Sequence, residues 1–449
     1  MWSSRRQPSH GHTPAWPLWV LVCMLAVACP SVVWAQSAFY AVGHDRNLAA
    51  GNYCIYPDSM SHRQTPPPAG KKPFYISHYG RHGSRYLNSR KGYDIPYAMM
   101  RKADSLHALT PIGRRVLNDL KDIIEDSEGR WGDLTGLGKR QHSRIAARMV
   151  KNFPEVFEGD AFIDARSTPV NRCVVSMGAA VQQLVRLNPR LQVTMNASMR
   201  DFVYLNHQDR ELRDSMKSKR ANDAYEDYAS LRWSNPRLLS LLFVNPDSVR
   251  SVITEKWLNY YLLMAGLIQN NTHMGGDKEF LVNLFSYEEI YRFWLNENAW
   301  WYTRYGFFGL NGGRQPYMQR FLLRKIIEEA DAAIRSNRHG ANLRFGHETV
   351  VLPLTCLLGI NGFDFKTDNL NDLESHGWWA CKVFPMAANI QLVFYRSGPQ
   401  DDDVIFKVLL NEEEATLPLS TDIAPYYHWS DFRAYYLDML DAYERQYGR

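Results

Sequence analysis

The sequence predicts an α/β fold: a mostly parallel sheet flanked by helices, with an inserted, mainly helical cap. Three observations predict it. From residue 74 to about 196, apolar strand-like runs alternate with helix-like segments in the order strand, helix, strand, helix, an order that builds parallel sheets covered by helices. Residues 197–340 then turn rich in aromatic and charged side chains at helical spacing. Finally the chain returns to short apolar runs at 343–345, 390–395 and 404–410. The predicted division is 1–35 signal segment, 36–71 lead-in, 72–196 first part of the core, 197–340 cap, and 341–449 second part of the core.

Each element has a local reason. The lead-in holds a helix-like patch, followed by a loop containing Thr65-Pro66-Pro67-Pro68. Residues 74–79 read as a buried strand running into a tight turn. Thr135 is a good N-cap for a helix over 135–152, stopped before Pro154. Residues 161–165 form a second strand; Thr168 then caps and Pro169 opens another helix, because proline's fixed φ suits the first helical position. In the cap, residues 257–268 and 319–335 have helical spacing, punctuated by Gly275-Gly276 and Gly312-Gly313. The runs 390–395 and 404–410 flank a polar stretch and predict a β-hairpin. A helix over 429–447 ends the chain.

A net charge of +5 falls to about +3 without Arg5 and Arg6, too little to imply nucleic acid as a partner, though it leaves room for a local basic pocket. Arg5 and Arg6, the apolar run 18–28 and Val33-Trp34-Ala35 before Gln36 predict a cleaved export signal and a periplasmic or secreted protein. Lipoprotein anchoring at Cys29 is the second reading. No later run is long and apolar enough to span a bilayer. Cys54, Cys173, Cys356 and Cys381 remain after cleavage; export permits disulfides, and buried free thiols are equally compatible with their positions. No His/Cys grouping has zinc-site spacing, so neither a metal nor any cofactor is expected.

Chemistry concentrates in Arg81-His82-Gly83-Ser84-Arg85, where the first strand ends. A histidine between two arginines offers a phosphoryl group a nucleophilic imidazole and two permanently charged forks for its oxygens. Gly83 is expected to let backbone approach the ligand. Open α/β sheets place their sites at such strand ends.

An Arg-His-Gly-x-Arg motif leaving the first strand resembles the histidine acid phosphatase family. Further motifs follow in the family's order: Leu134-Thr135-Gly136-Leu137-Gly138 with Gln141-His142, then Arg166-Ser167-Thr168-Pro169-Val170-Asn171-Arg172, then Gly346-His347-Glu348-Thr349. The resemblance spans about 72–449 and implies a phosphoglycerate mutase-like core. Asn389, Asn411-Glu412 and Leu417-Pro418-Leu419 are similar to the multiple inositol polyphosphate phosphatase and phytase branch.

What the resemblance implies is a phosphomonoester hydrolase working through a phosphohistidine. His82 would be the nucleophile and Glu348 the proton donor. Arg81, Arg85, Arg172 and His347 would hold the phosphate, with Arg166 a structural cation. Glu348 departs from the family's His-Asp by one methylene and from the branch's His-Ala-Glu by one residue. The expected partner is a small phosphate ester, foremost an inositol polyphosphate such as phytate, with Arg200, Arg210, Arg213, Lys217 and Arg220 as candidates for its remote phosphates. The alternatives are a broad-specificity acid phosphatase on sugar phosphates and a noncatalytic receptor for phosphorylated ligands. The oligomeric state stays open.

Overall fold

The computed structural model describes residues 37–57, 64–206 and 209–448; the expected export signal and Cys29 lie outside the described residues. At the centre is a mixed sheet of β1 (Lys72–Arg81), β2 (Phe162–Ser167), β3 (Gln192–Asn196), β4 (Gly340–Gly346), β5 (Asn389–Arg396), β6 (Ile405–Leu410), β7 (Glu413–Ala415) and β8 (Tyr427–His428). The order is β3-β2-β4-β1-β5-β6-β7, with β8 also paired to β6. The first four strands of that order are parallel, and β5 to β7 continue it antiparallel.

β1 is buried at every position after Lys72, as suits a central strand covered on both faces. On one face lie the helices Arg320–Ser336, Glu348–Leu357 and Trp429–Tyr447, with Leu322, Ile326, Val351, Leu354, Phe432 and Tyr436 packed against Phe394 and Phe406. The other face is covered by the helices Gly136–Asn152 and Asn171–Leu187, through Ile145, Met149, Met177 and Leu184.

Between β3 and β4 every element is helical, from Met199 to Ser336. A third apolar cluster joins part of this stretch, including Leu258, Leu262 and Phe293, to Met100 and Leu120 from the helices Lys91–Ser105 and Pro111–Ser127, and to Ala38 and Tyr53 of the lead-in. With Trp379, Cys381 and Met386 also in this cluster, the helical layer draws on four separate segments of the chain.

Local expectations mostly match. Thr135 caps Gly136–Asn152 by accepting from the Gly138 amide, the hairpin forms between β5 and β6, and the last helix is Trp429–Tyr447. One start differs. The helix after β2 begins at Asn171, with Val170 at its cap and no side-chain cap bond. Thr168 is not a cap because its hydroxyl faces His347 instead. All four cysteines of the described residues are free and buried.

Strand register aligns the chemistry. Arg81 of β1 lies opposite Gly346 of β4, and Ser167 of β2 opposite Phe345. The carboxyl ends of three neighbouring parallel strands therefore release residue 82, residue 347 and residues 168–172 at one rim.

Candidate active site

The loop leaving β1 is fixed on every side by backbone bonds. The His82 amide donates to Gly346 O (2.9 Å), the Arg81 amide to Ala388 O (2.7 Å), and the Ala387 amide to His82 O (2.9 Å). From the helix Gly136–Asn152, Gln141 Oε1 accepts from the Ser84 amide (2.8 Å), and His142 bonds the Arg81 backbone. Gly83 serves this packing. A Cβ there would stand 2.5 Å from Gly138 O, and one on Gly138 would stand 2.4 Å from Ser84 O. The two glycines let loop and helix touch backbone to backbone.

His82 is completely buried. Its Nδ1 lies 2.9 Å from Gly83 O. A carbonyl only accepts, so Nδ1 carries the proton and Nε2 keeps its lone pair. Among the described residues that buried Nε2 has no hydrogen-bond partner, and Glu348 Oε2 stands 3.5 Å away. Burial holds the His82 imidazole well below its ordinary pKa despite the nearby carboxylate. The ring is therefore neutral, with its lone pair on Nε2.

The structure brings the other expected residues to the same point. Arg81 Nε is 3.1 Å and Arg85 Nη2 3.8 Å from the Glu348 carboxylate. Arg172, in the first turn of Asn171–Leu187, is lowered by burial and by Arg85; its Nε, like that of Arg85, is buried without an acceptor. Three guanidiniums face one carboxylate, and two of them keep buried donors free. Such donors are costly unless an anion completes them.

Burial opposes charge on Glu348, but the Arg81 and Arg85 guanidiniums outweigh it and hold the carboxyl well below the usual range. Burial also pulls His347 down to about 4; its Nε2 lies 3.2 Å from Thr168 Oγ1, and its ring meets that of His82 edge-on at 5.8 Å. Arg166 pairs with Asp164 and Asp201 (3.1 and 2.9 Å), the structural use expected of it. The Asn411-Glu412 pair is also structural: Glu412 binds Arg148 (2.6 Å) and Tyr56 (2.8 Å).

Sequence reasoning missed the lead-in. Asn52 Nδ2 donates to Glu348 Oε1 (2.9 Å), and Asn52 O accepts from Arg81 Nη2 (2.5 Å). The Tyr53 hydroxyl accepts from Arg85 Nη1 (3.1 Å), with the guanidinium 4.8 Å from the ring centroid. Asn271 of the helical stretch ties Ser84 Oγ (2.7 Å) to Tyr53 O (2.8 Å). No motif marks these residues, and two of these five hydrogen bonds use backbone oxygens.

Donor atoms of His82, His347 and Glu348 lie within 4.8 Å of one another, residue types that can ligate a metal. Three guanidiniums around them oppose a cation there. The arrangement instead suits an anion: free donors surround a carboxylate with a bare imidazole nitrogen beside it.

Comparison with known proteins agrees with this geometry. The model of the histidine phosphatase superfamily (branch 2) matches residues 80–411. The fold is similar to that of the Bifidobacterium longum multiple inositol polyphosphate phosphatase, solved with inositol hexasulfate, at 16% identity and a TM-score of 0.65, over 86% of this chain and 97% of that one. The phytase from D. castellii is similar at 14% identity and a TM-score of 0.62, over 88% and 84%. No curated protein matches the sequence significantly. The chain belongs to branch 2 of the histidine phosphatase superfamily.

Proposed function

We propose that this protein hydrolyses phosphomonoesters through a phosphohistidine on His82, with inositol polyphosphates such as phytate as its substrates. The observation that carries the chemistry is His82 Nε2, buried and unpartnered, with Nδ1 held by Gly83 O and guanidiniums on either side. An anionic nucleophile would be repelled by a phosphate ester; a neutral imidazole is not.

In the first step Nε2 attacks phosphorus and the ester P–O bond breaks. Arg81, Arg85 and Arg172 neutralise the oxygens, and His347 adds a contact. Glu348 gives its proton to the departing alkoxide. In the second, water attacks the phosphohistidine, its proton goes to Glu348, and the P–N bond breaks. Glu348 is ionised while the site is empty, because the arginines have no other anion. A bound phosphate takes over those guanidiniums, the Glu348 pKa rises, and a substrate monoanion can supply the proton. The carboxylate thus stands in for the substrate between turnovers.

The similarity to the inositol polyphosphate phosphatase and phytase folds supports the substrate choice. The five candidate cations at 200–220 are exposed. Arg213 and Glu348 both act electrostatically on Tyr305, which puts Arg213 forward among the five as the candidate for a remote phosphate. Export with loss of residues 1–35 completes the proposal and fits an extracellular substrate. Incubation with inositol hexakisphosphate, with phosphate release and product isomers followed, tests it: stepwise release is expected, while turnover of phenyl phosphate alone would leave the broad-specificity reading.

A further inference from the structure

Glu348 carries one methylene more than the family's aspartate, so where its carboxyl stands depends on what holds it. Its partners divide between the two oxygens. Oε2 lies 3.1 Å from Arg81 Nε and 3.5 Å from His82 Nε2. Oε1 accepts from Asn52 Nδ2 at 2.9 Å, with Arg85 Nη2 farther off at 3.8 Å. A carboxylate only accepts, so the Asn52 amide presents its nitrogen there. On the proposed reading, Arg81, Arg85 and His82 all turn to the phosphate once a substrate binds. Among the described residues, Asn52 is then the one side chain left to hold the carboxyl.

The turn that carries Asn52 is fixed from several sides. Gly51 sits at φ +55°, a conformation that favours glycine. Asn52 O accepts from Arg81 Nη2 (2.5 Å), Tyr53 O from Asn271 Nδ2 (2.8 Å), and the Tyr53 hydroxyl from Arg85 Nη1 (3.1 Å). Behind the turn stands the helix Tyr287–Tyr305. Its Glu297 Oε2 lies 3.0 Å from where a Cβ on Gly51 would be. Its Trp301 packs on Tyr305 (ring centroids 5.3 Å) and on Phe384 (4.6 Å), whose carbonyl accepts from Arg81 Nη1 (2.6 Å). The Asn52 side chain is half-buried, and Glu348 is its one hydrogen-bond partner among the described residues. Backbone and Tyr53 hold the turn; the amide is left for the carboxyl.

We infer that Asn52 is a positioning residue: it reserves Oε1 as an acceptor and so puts the acid proton on Oε2, the oxygen that faces the phosphate position. The inference rests on the phosphomonoesterase reading and deepens it. When a substrate monoanion takes over the guanidiniums, its P–OH proton moves to Oε2, while Oε1 becomes the carbonyl oxygen and keeps accepting from Asn52. As His82 Nε2 forms the P–N bond, the P–O ester bond breaks and its electron pair goes to the departing oxygen. The Oε2 proton follows it there, and water later returns a proton to the same Oε2. The departing oxygen lies across phosphorus from the nucleophile, so its donor has to stand at the border of the phosphate position rather than in it. The Asn52 amide tethers the carboxyl from that border. Without the tether the carboxyl is free to rotate and carry its proton on the wrong oxygen.

The test is a leaving-group comparison between an alkyl ester, inositol hexakisphosphate or a sugar phosphate, and nitrophenyl phosphate. Asn52→Leu keeps the backbone oxygen for Arg81 and removes the donor. Asn52→Asp keeps the shape as well and puts an acceptor where the donor was. Each should lower kcat on the alkyl ester about tenfold to a hundredfold. Nitrophenyl phosphate, whose leaving oxygen needs little protonation, should lose far less. A loss of packing would slow both esters together. In the Glu348→Gln background either change should add almost nothing on the alkyl ester, because the group it positions is gone. Asn52 losses of equal size on both esters, or losses that multiply with that of Glu348→Gln, would overturn the inference and leave the hydrolase reading standing. If Glu348→Gln itself slowed both esters alike, the proton-donor reading would fall and the positioning role with it.

Discussion

The rim of the sheet and the helical wall facing it are built on different terms. At the rim, Arg81, His82, Arg85, Arg172, His347 and Glu348 sit at the ends of paired strands, and register fixes their distances. On the wall, Asn52, Tyr53, Glu297, Trp301 and Tyr305 come from a lead-in turn and one long helix, which meet only through packing. The rim recognises what all phosphate esters share. On the reading proposed above, the wall would meet whatever else the ester carries. Changes at the rim should therefore alter every substrate together, and changes on the wall should separate one substrate from another.

The largest effect belongs to the nucleophile. His82→Ala should lower turnover of every ester by at least on the order of 10⁴-fold. Acid quenching is the wrong trap for the parent, because a phosphohistidine is acid-labile; quenching in base with labelled substrate should capture the phosphoenzyme, and the variant should give none. Rapid turnover without any trapped intermediate would remove the covalent step.

Next comes Glu348, the rim residue with a wall contact through Asn52. Glu348→Gln should slow alkyl esters such as inositol phosphates by about 10²–10⁴-fold. Nitrophenyl phosphate should lose far less, since its leaving oxygen needs little protonation. The variant also leaves the three arginines without their resident anion, so inorganic phosphate should inhibit it more strongly than it does the parent. Equal losses on both esters would assign Glu348 a positioning role.

The same contrast separates what the sequence made legible from what it did not. The rim was readable because each of its residues lies in a short local motif, and the strand-end context said where the motifs would meet. Gly83 was readable as a necessity but not in its cause: that required seeing Gly138 of another segment against it. The start of the helix at Asn171 was misplaced because Thr168, a fitting cap by type, is taken by His347 from a distant strand. Asn52 could not be found at all, since its main service to Arg81 is a backbone oxygen, which every residue has. Glu297 lies on an aromatic-rich helix with no motif to mark it; the Gly51 turn, Tyr225 and Tyr260 beside it come from other segments.

Acid should weaken the empty rim. Burial lowers His78 to about 3, and His142 and His347 to about 4. An unfolded chain takes up these protons as pH falls through the ordinary histidine pKa, while the folded chain refuses them until the lower values. Stability is thus complete above that pKa and declines below it, by about 2 kcal/mol per histidine at about pH 5 as an upper bound. Glu297 works the other way: its raised pKa adds stability as pH falls from about 7, offsetting roughly one histidine. For these four groups the net loss is on the order of 3 kcal/mol, and His82, also lowered by burial, adds to it. Thermal melts should show Tm falling between neutrality and about pH 5, with inositol hexasulfate restoring part of it by binding only the folded state. An unchanged Tm across that range would mean that these histidines accept protons in the folded protein.

The smallest effect lies farthest from the rim, at Arg213. It is exposed, yet it is the candidate cation of the 200–220 stretch with a traced electrostatic link to the site, through Tyr305 to Glu348. Arg210 on the same short helix is 96% exposed and lies 3.9 Å from Asp214, so its charge is shared locally. An exposed charge contributes only about 0.2–1 kcal/mol to a contact, which limits Arg213→Ala to about a fivefold rise in KM for inositol hexakisphosphate. Charge reversal by Arg213→Glu should exceed that, and both effects should shrink as salt shortens the reach of the field. Phenyl phosphate, with no remote charge to hold, should barely register either change, and Arg210→Glu should fall below Arg213→Glu on the polyphosphate. If Arg213→Glu raised the two KM values in parallel, the exposed cations would act only as a general field, and discrimination between substrates would have to come from the buried part of the wall alone.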